Sequence, residues 1–351
     1  MHEICTIIAS NYMPQALTLL DSLRKYHPDI PVTILITDIQ NESWNLDAYT
    51  RICTPTDLGI DSTILGGMRA YYDQVELATS LKPFLLKHLI DSGSSTATFL
   101  DPDTEIYSPL EDIFEISRDY QAILTPHRVS PFSKTKDSFY GEETFLQYGT
   151  YNLGFISVSK HSMPLLDWWC QMLQFDSTRY PLSHVFTDQK WANQFPAYFN
   201  CYIYKGLELN IAPWNIDERD LDFRNEMLFA GNARVKLIHF SQMSSQLVRG
   251  ESSDLWKATL SDGKRDGEVL EIISKLTREY QIRLRSKIGN YGSVILIPDK
   301  AQASSSIFAR RYLRASLKQK FNAKFINLQI FKLLGEMKIL EKSDTLFSII
   351  V

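Results

Sequence analysis

Residues 97–108 read ATFLDPDTEIYS. A short apolar run, ATFL, breaks on two aspartates with a single proline between them. In an open α/β sheet, ligands gather beyond the carboxyl ends of the strands, which is where Asp101 and Asp103 fall if residues 97–100 form a buried strand. Two roles fit the pair. The carboxylates either cap the turn that ends the strand, or face a cleft and hold a divalent cation on a phosphorylated ligand. The stretch alone does not choose between them.

The flanking sequence supplies the sheet. ICTIIAS (4–10) and PVTILITD (31–38) are β-branched apolar runs of the kind that form buried parallel strands. Between them, Asn11 is placed to cap a helix and Pro14 suits its first turn. Ala16, Leu19, Leu20 and Leu23 follow on one helical face. The chain therefore opens β-α-β. Residues 79–91 are expected to form one amphipathic helix, with Leu81, Leu85 and Leu89 on a face and Thr79 or Ser80 as cap. QAILTPH (121–127) and YNLGFISVSK (151–160) read as strands, and the polar, aromatic segment 128–148 as a loop near the site. Gly154 inside a strand marks either a bulge or the close approach of a ligand or another backbone. LLDWWCQML (165–173) reads as a helix. TDQKWANQF (187–195) starts with a cap at Thr187 or Asp188, and VKLIHFSQ (235–242) is a last strand carrying His239. The expected fold class is α/β, a mostly parallel sheet flanked by helices in a Rossmann-like arrangement, with a C-terminal helical appendage.

The 351 residues are 44% hydrophobic and 22% charged, with a net charge of -4, which argues against a nucleic-acid partner. Cys5, Cys53, Cys170 and Cys201 are widely spaced and read as reduced, buried thiols. The N-terminal segment has neither a basic flank nor a long apolar run, and no stretch is long enough to span a bilayer, so a cytoplasmic location is expected. Character changes near residue 250, giving an expected catalytic domain at 1–250 and a mainly helical extension at 251–351. Within 301–346, Arg310, Arg311, Arg314, Lys318, Lys320, Lys324, Lys332, Lys338 and Lys342 face only Glu336, Glu341 and Asp344. This basic amphipathic tail suits either peripheral association with the inner membrane face or packing as a helical pair on the domain.

Six motifs stand in a familiar order: IIASNYMPQALTLLDSL (7–23), LATSLKPFLLKHLI (77–90), FLDPDTEIYSPL (99–110), TYNLGFISVSK (150–160), TDQKWAN (187–193) and LIHFSQ (237–242). Over about residues 3–245 the chain resembles sugar-nucleotide-dependent glycosyltransferases of the GT-A type with a D-x-D motif. The likeness is nearest to the retaining group that includes glycogenin-like enzymes and lipopolysaccharide galactosyltransferases. That resemblance implies a UDP-sugar donor, a hexose or acetamidohexose as the group transferred, and a glycan, lipid-linked or protein acceptor in surface polysaccharide synthesis. It implies Mn2+ or Mg2+ held by Asp101, Asp103 and His239, a base-binding turn at Ala9, Ser10, Asn11 and Tyr12, and donor contacts from Lys82, Asp101, Asn152 and Gly154. Asp188 and Gln189 match the pair beside the anomeric carbon. The residue types agree with that chemistry, since hard cations prefer oxygen ligands and stabilise a diphosphate leaving group. One departure is plain: the glycine and Lys-Pro-Trp that follow the late histidine in glycogenin-like enzymes are missing from FSQMSSQLVRG (240–250), where Arg249 is the candidate for a substitute cation. Trp214 and Asp217, in PWNIDERDLDF (213–223), form either an acceptor platform or ordinary core and surface. The competing functions are a sugar-1-phosphate nucleotidyltransferase, which the absence of an early Gly-rich basic loop opposes, and a catalytically silent nucleotide- or carbohydrate-binding protein.

Overall fold

The structure is a computed structural model describing residues 1–38, 44, 46–132, 140–179, 185–241, 256, 259–260 and 264–291. All of these lie within one compact unit, Met1–Ile295. The basic tail at 301–346 and Arg249 fall outside the described residues.

In chain order the elements are β1 (His2–Ile8), α1 (Met13–Tyr26), β2 (Val32–Ile36), β3 (Thr50–Cys53), α2 (Ser62–Tyr71), α3 (Gln74–Ser80), α4 (Lys82–Asp91), β4 (Thr96–Leu100), β5 (Thr104–Ile106), α5 (Glu111–Ser117), β6 (Ala122–Pro126), α6 (Glu142–Tyr148), β7 (Tyr151–Ser159), α7 (Met163–Leu173), α8 (Phe195–Tyr198), β8 (Cys201–Ile203), β9 (Leu221–Arg224), β10 (Met227–Ala230), β11 (Ala233–Arg234), β12 (Leu237–His239) and α9 (Lys264–Tyr291). Seven strands form one sheet in the order β3-β2-β1-β4-β7-β6-β8. Only β7 runs against the others, pairing antiparallel with both β4 and β6. The α/β class and the mostly parallel, helix-flanked sheet expected from the sequence are the ones observed.

The core follows from strand periodicity. On β1, Cys5 and Ile7 point into one apolar cluster with α2, α3, α4 and α7, while Ile4 and Ile8 point into a second with α1 and α5. A sheet buried on both faces needs near-continuous apolar strands, and β1, β2, β4 and β6 supply them. A third cluster joins β9, β10 and β12 to α9, whose Val269, Ile273, Leu276, Tyr280 and Leu284 form one buried helical face.

Several local expectations differ: segment 128–148, read as a loop, ends in the helix α6, and Cys201 is only half-buried. The helix expected over 79–91 is two helices meeting at Leu81, with Pro83 in the first turn of α4, and the cap is Asp73 in a capping box with Glu76. Pro83 lacks an N–H, so it starts a helix more readily than it continues one. Segment 187–195 is a 3₁₀ helix, Gln189–Gln194, leading into α8; neither it nor α1 has a side-chain cap, and Asn11 sits instead in a 3₁₀ turn, Ser10–Tyr12. The last strand is short and leaves the main sheet to pair with β5. No helix among the described residues is long and apolar enough to cross a membrane.

If α9 is part of this core, Ile273→Ala lowers unfolding free energy by about 2–5 kcal/mol, the usual cost of emptying a buried aliphatic site. Urea titration followed by circular dichroism measures it. A loss under about 0.5 kcal/mol contradicts the packing.

Candidate active site

The site assembles where β4 ends. The turn after β4 is closed by backbone and hydroxyl: Thr104 donates to the Asp101 carbonyl through N (3.1 Å) and Oγ1 (2.7 Å). The carboxylates take no part in closing it. Both face His239 instead, whose Nε2 lies 3.1 Å from Asp103 Oδ1 and 3.7 Å from Asp101 Oδ2. The antiparallel β5–β12 register places His239 opposite Thr104, one residue past Asp103, and Phe240 N donates to the Asp103 carbonyl at 2.8 Å. One donor atom from each of Asp101, Asp103 and His239 falls within 4.8 Å of the others. Two carboxylate oxygens and an imidazole nitrogen fit a hard or borderline divalent cation.

Gly154 makes the geometry possible. A Cβ there would lie 2.6 Å from His239 Cε1 and Nδ1 and 2.8 Å from Asn152 Oδ1. The bulge reading of this glycine holds, because β6 and β7 slip register between Leu124 and Thr125 beside it, while the groups that come close are the His239 and Asn152 side chains rather than another backbone. The Gly154 carbonyl accepts from Asp101 N at 2.8 Å, tying β7 to the turn.

Lys82 is buried rather than spread on a solvated helix face. Its Nζ donates to the Leu153 carbonyl (2.7 Å), stands 2.5 Å from Asp188 Oδ2, and lies 4.2 Å from the centre of the Phe99 ring. The residue before Asp188, Thr187, is β-branched yet held at φ 46°. That is a left-handed conformation costing about 1–3 kcal/mol, and such strain concentrates at functional sites. Gln189 Oε1 accepts from Asn152 Nδ2 (3.3 Å), and its Nε2 donates to the Tyr148 carbonyl (2.9 Å). Asn152 Oδ1 accepts from Gly154 N and from Asn210 Nδ2, each at 3.0 Å.

The charged groups around the aspartates act on one another. Burial raises Asp101 to about 6; Lys82 and His239 oppose that rise, while Asp103 and Asp188 add to it. For His239, burial disfavours the charged ring, but the carboxylates of Asp103 and Asp101 outweigh it and its pKa is raised. Burial lowers His127 to about 4, so it stays neutral.

At the turn of residues 9–12, expected from the sequence to bind the base, two backbone donors are already engaged: Ser10 N with Asp38 Oδ1 (2.6 Å) and Tyr12 N with the Ala9 carbonyl (2.8 Å). Ser10 Oγ donates to Asp38 Oδ2 (2.8 Å), Ala9 is buried, and Tyr12 is 41% exposed. The acceptor-platform reading of 213–223 loses its two contacts. Trp214 is buried edge-on to His239 (centroids 5.4 Å) and His127 (5.5 Å), and Asp217 forms a two-point ion pair with Arg128 at 2.6 and 3.1 Å. Asp38, Asn210 and His127 were not singled out in the sequence. A strand-end carboxylate at 38 was a usable signal; Asn210 reaches Asn152 only through long-range folding.

No protein-family model matches the chain, and no curated protein does. Among solved structures, the galactosyltransferase LgtC with donor and acceptor sugar analogues is 11% identical, covering 82% of this chain and 96% of its own, with a TM-score of 0.43. The glycosyltransferase GlyE of Streptococcus pneumoniae TIGR4 is 12% identical over 83% of this chain and 64% of its own, TM-score 0.42. Mouse xyloside xylosyltransferase 1 is 12% identical over 68% and 97%, TM-score 0.40. At these TM-scores the likenesses establish neither family nor function.

The geometry generates three outcomes. Gly154→Ala pushes the His239 ring and weakens Mn2+ binding by about 10–100-fold, read by calorimetric titration; an unchanged isotherm removes His239 from the ligand set. Lys82→Met strands the Asp188 carboxylate in the interior and costs about 3–5 kcal/mol of stability, most of which a second change, Asp188→Leu, restores in denaturant titrations. If Lys82→Met costs under about 1 kcal/mol, the pair behaves like a solvated surface pair. Protons compete with the metal for His239, whose pKa is raised, and for Asp101 at about 6, so Mn2+ affinity already declines as pH falls through neutrality and drops further below about 6. A level profile down to pH 5 contradicts that competition.

Proposed function

We propose that this chain is a metal-dependent glycosyltransferase that moves a hexose or acetamidohexose from a UDP-sugar to a glycan, lipid-linked or protein acceptor, with retention at the anomeric carbon. The observation that carries the reading is the Asp101–Asp103–His239 group at the strand ends, cradled by a glycine that leaves room for no side chain. Asp101, Asp103 and His239 would hold Mn2+ or Mg2+, which when bound neutralises the charge that builds on a departing diphosphate.

The remaining roles belong to the chain's own groups. Tyr12 offers a ring for the base, and the Ser10–Asp38 pair fixes the turn that presents it. Lys82 pairs with Asp188 and its charge also acts on Asp101, so the floor of the site is partly neutralised before an anionic donor arrives. Asn152 and Gln189 hold each other in place, so the amide groups that would meet sugar hydroxyls are oriented in advance. Retention draws support from Asp188. An inverting enzyme needs a free carboxylate to take the acceptor proton, and Asp188 is instead buried 2.5 Å from Lys82 Nζ.

The test is calorimetric. UDP is expected to bind the wild-type chain in the presence of Mn2+ and not with chelator, and Asp103→Asn is expected to lose the Mn2+-dependent component by at least about 100-fold while melting at a near-normal temperature. UDP binding that ignores both chelation and the substitution removes the metal role and, with it, the reaction class.

A further inference from the structure

The segment between β8 and β9 holds none of the motifs that point to the reaction, yet two consecutive residues of it reach the site. Ile211 works through its main chain. Its N–H donates to the Leu237 carbonyl (3.0 Å) and its carbonyl accepts from His239 N (2.7 Å), so it holds the stretch of β12 that carries the histidine. Asn210 works through its side chain. Its Nδ2 donates to Asn152 Oδ1 on β7 (3.0 Å) and to Thr125 Oγ1 on β6 (2.9 Å), bridging the two strands where their register slips. Asn210 is 1% exposed and stands at φ 57°, in the left-handed region that asparagine tolerates better than most residues with a Cβ. Its own carbonyl accepts from Asn215 Nδ2 (3.2 Å), which also donates to the His127 carbonyl (3.0 Å).

The direction of each bond in this chain follows from groups whose roles are fixed. Gly154 N can only donate, so the Asn152 atom it meets at 3.0 Å is the carbonyl oxygen of the side chain. The Asn210 atom that faces the same oxygen must then be its NH2. The Thr125 hydroxyl gives its proton to the Asn152 main-chain carbonyl (3.3 Å) and is left to accept from Asn210. With its oxygen held by two donors, Asn152 turns its NH2 toward Gln189 Oε1 at 3.3 Å. Gln189 Nε2 is committed in turn to the Tyr148 carbonyl at 2.9 Å. Asn210 and Gly154 N together therefore set which way the Asn152 amide points, and through it the Gln189 amide. The arrangement has a cost: Asn210 Oδ1 is buried and without a partner. An unpaired interior oxygen and a left-handed backbone are both unfavourable, so packing alone does not account for an asparagine here.

We infer that Asn210 is a positioning residue for the donor sugar, acting through Asn152: it fixes which side of the Asn152 amide faces Gln189, and it ties that amide to the segment that holds His239. The inference rests on the reading of Asn152 and Gln189 as the groups that meet the sugar of a UDP-hexose, and it adds the residue that aims them. Without Asn210, a single bond from Gly154 N holds the Asn152 oxygen, and the amide is free to swing about its last torsion. An amide oriented in advance loses no freedom when a sugar hydroxyl arrives.

The experiment titrates Mn2+ alone, then UDP with Mn2+, then UDP-glucose, UDP-galactose and their N-acetyl counterparts with Mn2+. The proteins are wild type, Asn210→Gly, Asn210→Asp, Asn152→Ala and the double variant Asn210→Gly with Asn152→Ala. The readout is the affinity of the best-bound UDP-hexose relative to that of UDP. Glycine keeps the left-handed backbone and removes the side chain, and aspartate keeps the shape but turns the donor into an acceptor. In both, the ratio should fall by about 3–10-fold, the worth of one hydrogen bond. Mn2+ and UDP should bind as they do to wild type, because the Ile211 main chain, not the Asn210 side chain, holds His239. Asn152→Ala should lower the ratio as well, and adding Asn210→Gly should lower it no further. A wild-type ratio in both Asn210 variants, or additive losses in the double variant, overturns the inference and leaves the proposed function intact. Equal weakening of Mn2+, UDP and UDP-hexose, or loss of cooperative folding in both Asn210 variants, marks a purely structural role and also overturns it. A wild-type chain that binds UDP but none of the four UDP-hexoses removes the sugar contact and this inference with it. One that shows no Mn2+-dependent UDP binding overturns the proposed function as well.

Discussion

His239 can stand 3.1 Å from Asp103 because two three-residue strands pair in one register and because residue 154 has no side chain. The β5–β12 ladder fixes how far along the turn the histidine arrives. Gly154 fixes how close it comes, since a Cβ at position 154 would occupy the imidazole's place. Strand side chains alternate faces, so a one-residue slip of this short ladder would turn His239 away from the aspartates. The carboxylates are left for a ligand because the turn after β4 is closed by the Asp101 carbonyl and Thr104, which answers what the D-P-D stretch is for better than a capping role does.

The second layer of the site is polar and buried, an expensive arrangement unless its groups are matched. Lys82 and Asp188 neutralise one another under the aspartate pair, and Asn152, Gln189 and Asn210 pass hydrogen bonds from the β7 backbone to the segment after β8. Thr187 is held in a conformation β-branched residues avoid. Matched charges and oriented amides in a low-dielectric cleft cost stability in the free protein and remove reorganisation when a charged ligand binds.

Much of this was legible in the sequence for identifiable reasons. The central strands of the main sheet are buried on both faces, so ICTII, VTILI and ATFL announce themselves as apolar runs without reference to partners. Asp101, Asp103 and Gly154 were readable because their meaning depends on position at a strand end or inside a strand. The division at Leu81 was misread although Pro83 marked it, because the leucine spacing continues through the junction. Trp214 and Asp217 were ambiguous from composition and settle into packing because Arg128 and His239, far away in sequence, meet them. The seat of α9 was invisible for a similar reason: Tyr280 stacks on Phe240, forty residues earlier, and the burial of its helix face depends on α1 and β9. Helical periodicity says which face is buried, not what it is buried against.

The most direct measurement of the central claim is anomalous diffraction from a crystal of the full chain soaked with Mn2+. The account predicts a single strong peak within about 2.5 Å of an Asp103 carboxylate oxygen and of His239 Nε2, with Asp101 beside it. A peak at some other cluster, or none while His239 still contacts the two carboxylates, would show that the aspartates and the histidine satisfy only one another.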